Sequence, residues 1–187
     1  MPIPAERSDE TLMLDYRAGD VVAFEELYRR HKGGLYRYLL RQCRDPAATA
    51  ELFQDIWMNL VRARGRYEPS ARFSTYLYRL AHNRLVDHYR RRTHGANVSL
   101  EDEDIEEPAQ GSQEQPDARY ERKALATRLL ALVESLPAAQ REAFLLQHEG
   151  DMTLEQIAAV TGVNRETVKS RLRYALAKLR AGLGDWR

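Results

Sequence analysis

The chain has 187 residues, with 29 Lys and Arg against 28 Asp and Glu, a net charge of +1. At 43% hydrophobic residues it can bury a core, yet no apolar run approaches the roughly 20 residues that span a bilayer, and "MPIPAERSDETL" lacks a basic-then-apolar export pattern. Cys43 is the single cysteine, which excludes an intramolecular disulfide and a cysteine-based zinc site; a cytoplasmic protein without cofactor or metal is expected.

Apolar residues recur at helical spacing, and strand alternation and hairpin signals are missing, so an all-α protein is predicted. Asp9 is placed to cap a first short helix ending near Gly19, and Asp20 to cap a second. The stripe of the second is Phe24, Leu27, Tyr28, His31, Leu35 and Leu39, with Gly33 and Gly34 expected to bend or split it. Asp45-Pro46 opens a third helix, a capping side chain followed by proline at the first helical position. Its inner residues are Phe53, Ile56, Trp57, Leu60 and Val61. Glu51, Gln54, Asp55 and Asn59 form a polar face beside Trp57 and Met58, which read as exposed. After a loop with Gly65 and Pro69, Ser74 is the expected cap of a fourth helix facing inward through Leu77, Ala81, Leu85 and His88.

"NVSLEDEDIEEPAQGSQEQPDA" is acidic and nearly free of large apolar residues. Such a stretch cannot bury enough surface to offset its ordering entropy, so a flexible linker is expected. Beyond it, Leu125, Leu129, Leu132 and Leu136 begin a new stripe, Pro137 restarts a helix and Gly150 ends it. The plan is two small helical domains, 1–95 and 119–187, joined by an acidic linker over 96–118.

"TLEQIAAVTGVNRETVKSRL" reads as a helix-turn-helix. Thr153 and Gln156 fit a capping box, Gly162 suits a left-handed turn, and Asn164 can cap the second helix. Val168, Leu172, Ala175 and Leu179 then face inward. Arg165, Lys169, Ser170, Arg173 and Tyr174 face outward near the start of that helix, the part that enters the major groove in such motifs. Lys and Arg there can meet guanine edges or phosphates. An ordinary helical hairpin with a solvated basic face carries the same pattern.

Upstream, 62–92 holds nine arginines against Glu68 and Asp87, interleaved with Tyr67, Phe73, Tyr76, Tyr78 and Tyr89. Charge follows a phosphate backbone while rings stack on bases, which suits single-stranded nucleic acid. Core aromatics under a solvated basic face fit equally, and Phe73 and Tyr78 lean that way. On the fourth helix Arg79, Leu80, Asn83 and Asp87 fall away from the inner stripe, and the Asn83 amide can read a base edge.

The stretch "AELFQDIWMNLVRARGRYEPSARFSTYLYRLAHNRLVDHYRRR" resembles region 2, and "ESLPAAQREAFLLQHEGDMTLEQIAAVTGVNRETVKSRLRYALAKLR" resembles region 4, of the extracytoplasmic-function (group IV) sigma factors of the sigma-70 family. The resemblance covers nearly the whole chain. It implies a non-enzymatic factor that binds core RNA polymerase, through the β′ clamp and the β subunits, and directs promoter-specific initiation. By the same resemblance Glu51, Gln54, Asp55 and Trp57 meet the clamp. Tyr67, Arg79, Leu80 and Asn83 capture a flipped base of the melted −10 strand. Lys169, Ser170, Arg173 and Tyr174 face bases of the −35 duplex, and Arg141, Arg165, Thr167 and Arg171 hold its phosphates. "ATAEL" keeps Glu51 but lacks the family's longer acidic run, and Tyr174 stands where relatives often carry a basic residue. An anti-sigma factor is an implied partner; direct membrane insertion is not. The rivals are a stand-alone helix-turn-helix regulator and a nucleic-acid-processing enzyme using Asp55, Asp87 and histidines. The second rival lacks the tight acidic cluster of a metal site.

Overall fold

The computed structural model describes residues 7–95 and 116–184. Among them all regular structure is helical: α1 (Asp9–Ala18), α2 (Val21–Cys43), α3 (Pro46–Ala63), a 3-10 turn (Arg64–Arg66), α4 (Phe73–Gly95), α5 (Pro116–Glu134), α6 (Ala138–Glu149), α7 (Leu154–Thr161) and α8 (Arg165–Gly184). The expected linker lies outside the described residues except for its last three positions, which open α5 with Pro116 as first helical residue. Proline is at home there, because the first turn has no use for its missing N–H.

Local chemistry sets most boundaries. Asp20 accepts from the amides of Val22 and Ala23, and Asp45 from those of Ala47 and Ala48. The cap of α1 is Ser8, one residue before the expected Asp9; its hydroxyl accepts from Thr11 N at 3.2 Å. Asp9 is instead the first helical residue and turns toward α2. Ser74 does not cap α4, which already starts at Phe73. The free Phe73 amide donates across space to Glu10 of α1 at 2.7 Å, so a tertiary contact supplies the cap. Gly33 and Gly34 do not split α2, which runs unbroken through them. Each glycine costs a helix about 1 kcal/mol, whereas burying Leu35, Tyr38 and Leu39 on the same helix returns roughly 1.5–3 kcal/mol for each large apolar side chain.

Helices α1 to α4 close around Met13, Leu27, Ile56, Leu60, Phe73 and Leu77, all without solvent exposure. Helices α5 to α8 close around Leu146, Ile157, Val168 and Ala175. The two halves lie against each other: α6 packs on α2 and α7 on α4, so both cores belong to one continuous apolar cluster.

Candidate nucleic-acid and polymerase interfaces

The C-terminal site is built from caps. Thr153 Oγ1 accepts from Gln156 N at 3.3 Å, and Gln156 Oε1 accepts from Thr153 N at 2.9 Å. This reciprocal pair starts α7. Gly162 follows at φ 72°, a left-handed conformation costly for any residue with a Cβ, and its N–H closes the helix on Ala158 O at 2.9 Å. Asn164 Oδ1 then accepts from Thr167 N at 2.8 Å and starts α8. Val168, Leu172, Ala175 and Leu179 are buried as expected, which fixes the opposite face outward. Lys169 and Arg173 are exposed, and Tyr174 is 53% exposed with the Arg173 guanidinium 5.0 Å from its ring centre. Thr167, Ser170, Arg171 and Tyr174 line a shallow hollow with Gln140, Asn164 and Glu166. Arg165 is paired with Glu155 at 2.5 Å and Glu166 at 3.3 Å; both carboxylates are largely exposed, so such pairs are weak and a phosphate can compete for the guanidinium.

Arg141 is a correction. It is 7% exposed, and one guanidinium nitrogen donates to Glu134 O at 3.0 Å and Leu136 O at 3.3 Å. Carbonyls at a helix end lack intrahelical donors, and Arg141 satisfies those of the α5–α6 turn. Its Nε also faces Gln42 Oε1 at 3.4 Å. In this arrangement it is not presented to a phosphate.

On α4, Arg79 and Asn83 are exposed one turn apart, with Leu80 half-buried between them. Arg79 donates to Ala159 O of α7 at 3.2 Å. Tyr67 departs from the expected stacking position, being 3% exposed. Its ring packs on Tyr76 (5.3 Å) and Phe73 (6.4 Å), and burial pushes its phenol up to about 12. Arg17 holds its carbonyl at 2.8 Å. Tyr67 therefore supports the loop before α4 rather than offering a ring to a base. Phe73 and Tyr78 are fully buried core.

On α3, Glu51, Gln54 and Met58 are exposed and Asp55 is half-buried. Asp55 lies 3.6 Å from Arg84. Trp57, read as exposed, is 6% exposed and packs edge-on to Tyr28 at 4.9 Å and Phe24 at 5.9 Å. Aromatics on α2 cover it, and Met58, 43% exposed, takes the solvent side.

A polar seam between the halves joins residues too far apart in sequence for spacing to reveal it. Tyr38 Oη donates to Glu142 Oε1 at 3.1 Å, and His82 Nδ1 lies 2.6 Å from the same oxygen. Arg37 meets Glu149 at 2.8 Å, and Arg44 donates to Glu134 O. Among the described residues no group of three His, Cys, Asp or Glu is disposed to hold a metal, and no helix is long and apolar enough to cross a membrane.

A capped helix-turn-helix with a basic outer face, next to a bundle whose last helix exposes Arg79 and Asn83, is the arrangement of a DNA-binding protein of the helix-turn-helix class. Residues 27–95 match the family model for Sigma-70 region 2, and residues 126–179 that for Sigma-70, region 4. The chain is 31% identical over 170 residues to the RNA polymerase sigma factor CarQ of Myxococcus xanthus, covering 91% of this chain and 94% of that one. It is 31% identical over 180 residues to the ECF RNA polymerase sigma factor SigK of Mycobacterium sp. (strain KMS), covering 94% and 90%. Its fold is similar to that of the sigma factor RpoE solved with the anti-sigma factor NepR from Bartonella quintana, with TM-score 0.70, 20% identity and coverage of 88% and 98%. It is also similar to CnrH solved with the cytosolic domain of CnrY, with TM-score 0.66, 23% identity and coverage of 97% and 100%. The protein belongs to the extracytoplasmic-function sigma factors of the sigma-70 family, and is an alternative sigma factor that directs transcription initiation. The match to region 2 disfavours a stand-alone helix-turn-helix regulator, which has no need of that half.

Proposed function

We propose that the polar face of α3 docks on the β′ clamp of core RNA polymerase while α4 captures the melted −10 strand and α8 reads the −35 duplex. The observation that carries this is the exposed pair Arg79 and Asn83, one turn apart on a helix preceded by the Arg66–Arg72 loop. Arginine can follow the backbone, and an amide with two donors and an acceptor can read a base edge once it leaves the stack. Glu51, Gln54 and Asp55 supply the docking face, with Met58 as its apolar contact in place of Trp57. On α8, Lys169, Ser170, Arg173 and Tyr174 face bases, and Arg165, Thr167 and Arg171 hold phosphates.

No covalent step is needed, and the protein acts as a binding factor rather than an enzyme. A protein shifts an equilibrium only toward the state it binds better, so preferential binding of the single strand opens the duplex. Two modest readers gain effective concentration when polymerase holds both on one promoter. The acidic segment 96–118 links them, either as a passive tether or as a mimic of nucleic acid in a basic channel of the polymerase. The NepR-bound relative supports an anti-sigma factor as a further partner, and a DNA-reading role places the protein in the cytoplasm.

Asn83→Ala is the test. The side chain is exposed, so the fold is retained and core binding is unchanged. Permanganate reactivity of promoter thymines in the holoenzyme should fall. Loss of core binding, or normal opening with core binding intact, would overturn the assignment.

A further inference from the structure

The loop between the 3-10 turn and α4 stands on two buried feet. Tyr67 and Phe73 are 3% and 0% exposed, with ring centres 6.4 Å apart, and residues 68–72 between them are all exposed. Both feet are held from α1. Arg17 donates to the carbonyl of Tyr67 at 2.8 Å, and Glu10 accepts from the amide of Phe73 at 2.7 Å. Where the chain enters the loop, the Arg64 guanidinium lies 5.2 Å from the Tyr16 ring centre. Glu10 and Arg17 are seven positions apart in sequence, about two helical turns, so they project from one face of α1. Met13 between them is fully buried and fixes that face against the bundle. Helix α1 lies outside residues 27–95, the stretch that matches Sigma-70 region 2.

We propose that α1 is a brace for −10 base selection, with Glu10 and Arg17 as positioning residues that hold the arch 68–72 in the shape that receives a flipped base. The proposal rests on the −10 reading above, in which α4, entered from this loop, captures the strand. An exposed segment with few apolar contacts does not hold one shape by its own packing, so the shape of the arch is set at its ends. Each end contact joins a charged side chain to a backbone group, a bond roughly twice as strong as a neutral one. The Phe73 amide belongs to the first turn of α4 and has no partner within that helix, so Glu10 fixes where α4 begins. Leu12 and Met13 already dock α1 through their buried side chains; the two polar pins add register to that burial. A site that can re-pack accepts several ligands, whereas one held in a single shape rejects a misfit. The brace therefore acts on which base is taken, and not on core binding.

The test uses the full chain in holoenzyme with purified core polymerase, and a pool of single-stranded DNA randomised over a short window and sequenced after capture. Wild type should enrich particular bases, by roughly tenfold or more where one base is read. Glu10→Ala and Arg17→Ala should each flatten that enrichment several-fold while core affinity stays unchanged. Glu10→Gln keeps an acceptor oxygen for the Phe73 amide and should restore selection, as should Arg17→Lys, which keeps a donor for the Tyr67 carbonyl. Thermal melts run alongside. Lost stability with selection intact, or a weakening shared equally by all sequences, would show a merely structural role and overturn the proposal. Conservative variants as poor as the alanines would overturn it too. Failure of the underlying −10 reading has its own signature: wild type enriches no base, and Asn83→Ala is indistinguishable from it.

Discussion

The Tyr38 hydroxyl donates to the Glu142 carboxylate at 3.1 Å across 104 positions of sequence. Burial, and then the carboxylate itself, push the phenol well above its ordinary range, so Tyr38 remains a donor at any working pH. Tyr38→Phe and Glu142→Gln should each lower the stability of the full chain in denaturant. Their effects should couple by about 1–3 kcal/mol, the range for a hydrogen bond to a charged group and for residues in direct contact. Additive effects would mean that the contact contributes nothing to holding the halves together.

Lys169 and Arg173 stand exposed on the outer face of α8. Arg173→Ala should relax base preference at one −35 position, with a loss of about 1–3 kcal/mol on the preferred sequence. Arg165→Ala should weaken all sequences alike and reduce the salt slope of binding by about one. Holoenzyme binding to promoter duplexes under salt titration separates these outcomes. Circular dichroism should be unchanged in both variants; an altered spectrum would show the residues to be structural.

Asp9 ties α1 to α2, accepting from Arg30 at 2.8 Å and lying 2.6 Å from His31 Nε2. The His31 contact is the largest influence on its carboxyl; burial opposes it, and the net result lies below the ordinary 3.8. Between the folded and unfolded values the unfolded chain binds more protons, so stability rises with pH there. The contribution is fully present above the unfolded value and is lost as pH falls through the folded one. Asp9→Asn should therefore flatten the acid limb of the stability curve below about pH 4. Thermal melts across that range check it; an unaltered limb would contradict the assignment.

Local chemistry made much of the fold legible. Asp45-Pro46, the Thr153–Gln156 box, Gly162 and Asn164 act on amides within a few residues, so their roles can be read from spacing. The outward face of α8 followed from its buried stripe. What the spacing could not show came from distant partners. Glu10 caps α4 across 63 positions, which displaced Ser74. The α2 aromatics bury Trp57 and leave its neighbour Met58 to solvent. Arg141 looked available until the carbonyls of the α5–α6 turn claimed it. Gly34 read as a helix breaker because only the folded chain brings Glu149 against it.

The central claim is that this protein programs polymerase for particular promoters through two readers. Transcription in vitro, with purified core polymerase and a library of promoter fragments, tests it most directly. Addition of the protein should yield transcripts from a shared −35 and −10 pair that core enzyme alone does not make, and Asn83→Ala should abolish them while still binding core. Transcripts independent of the added protein, or tight duplex binding by the free protein that core enzyme does not alter, would contradict it.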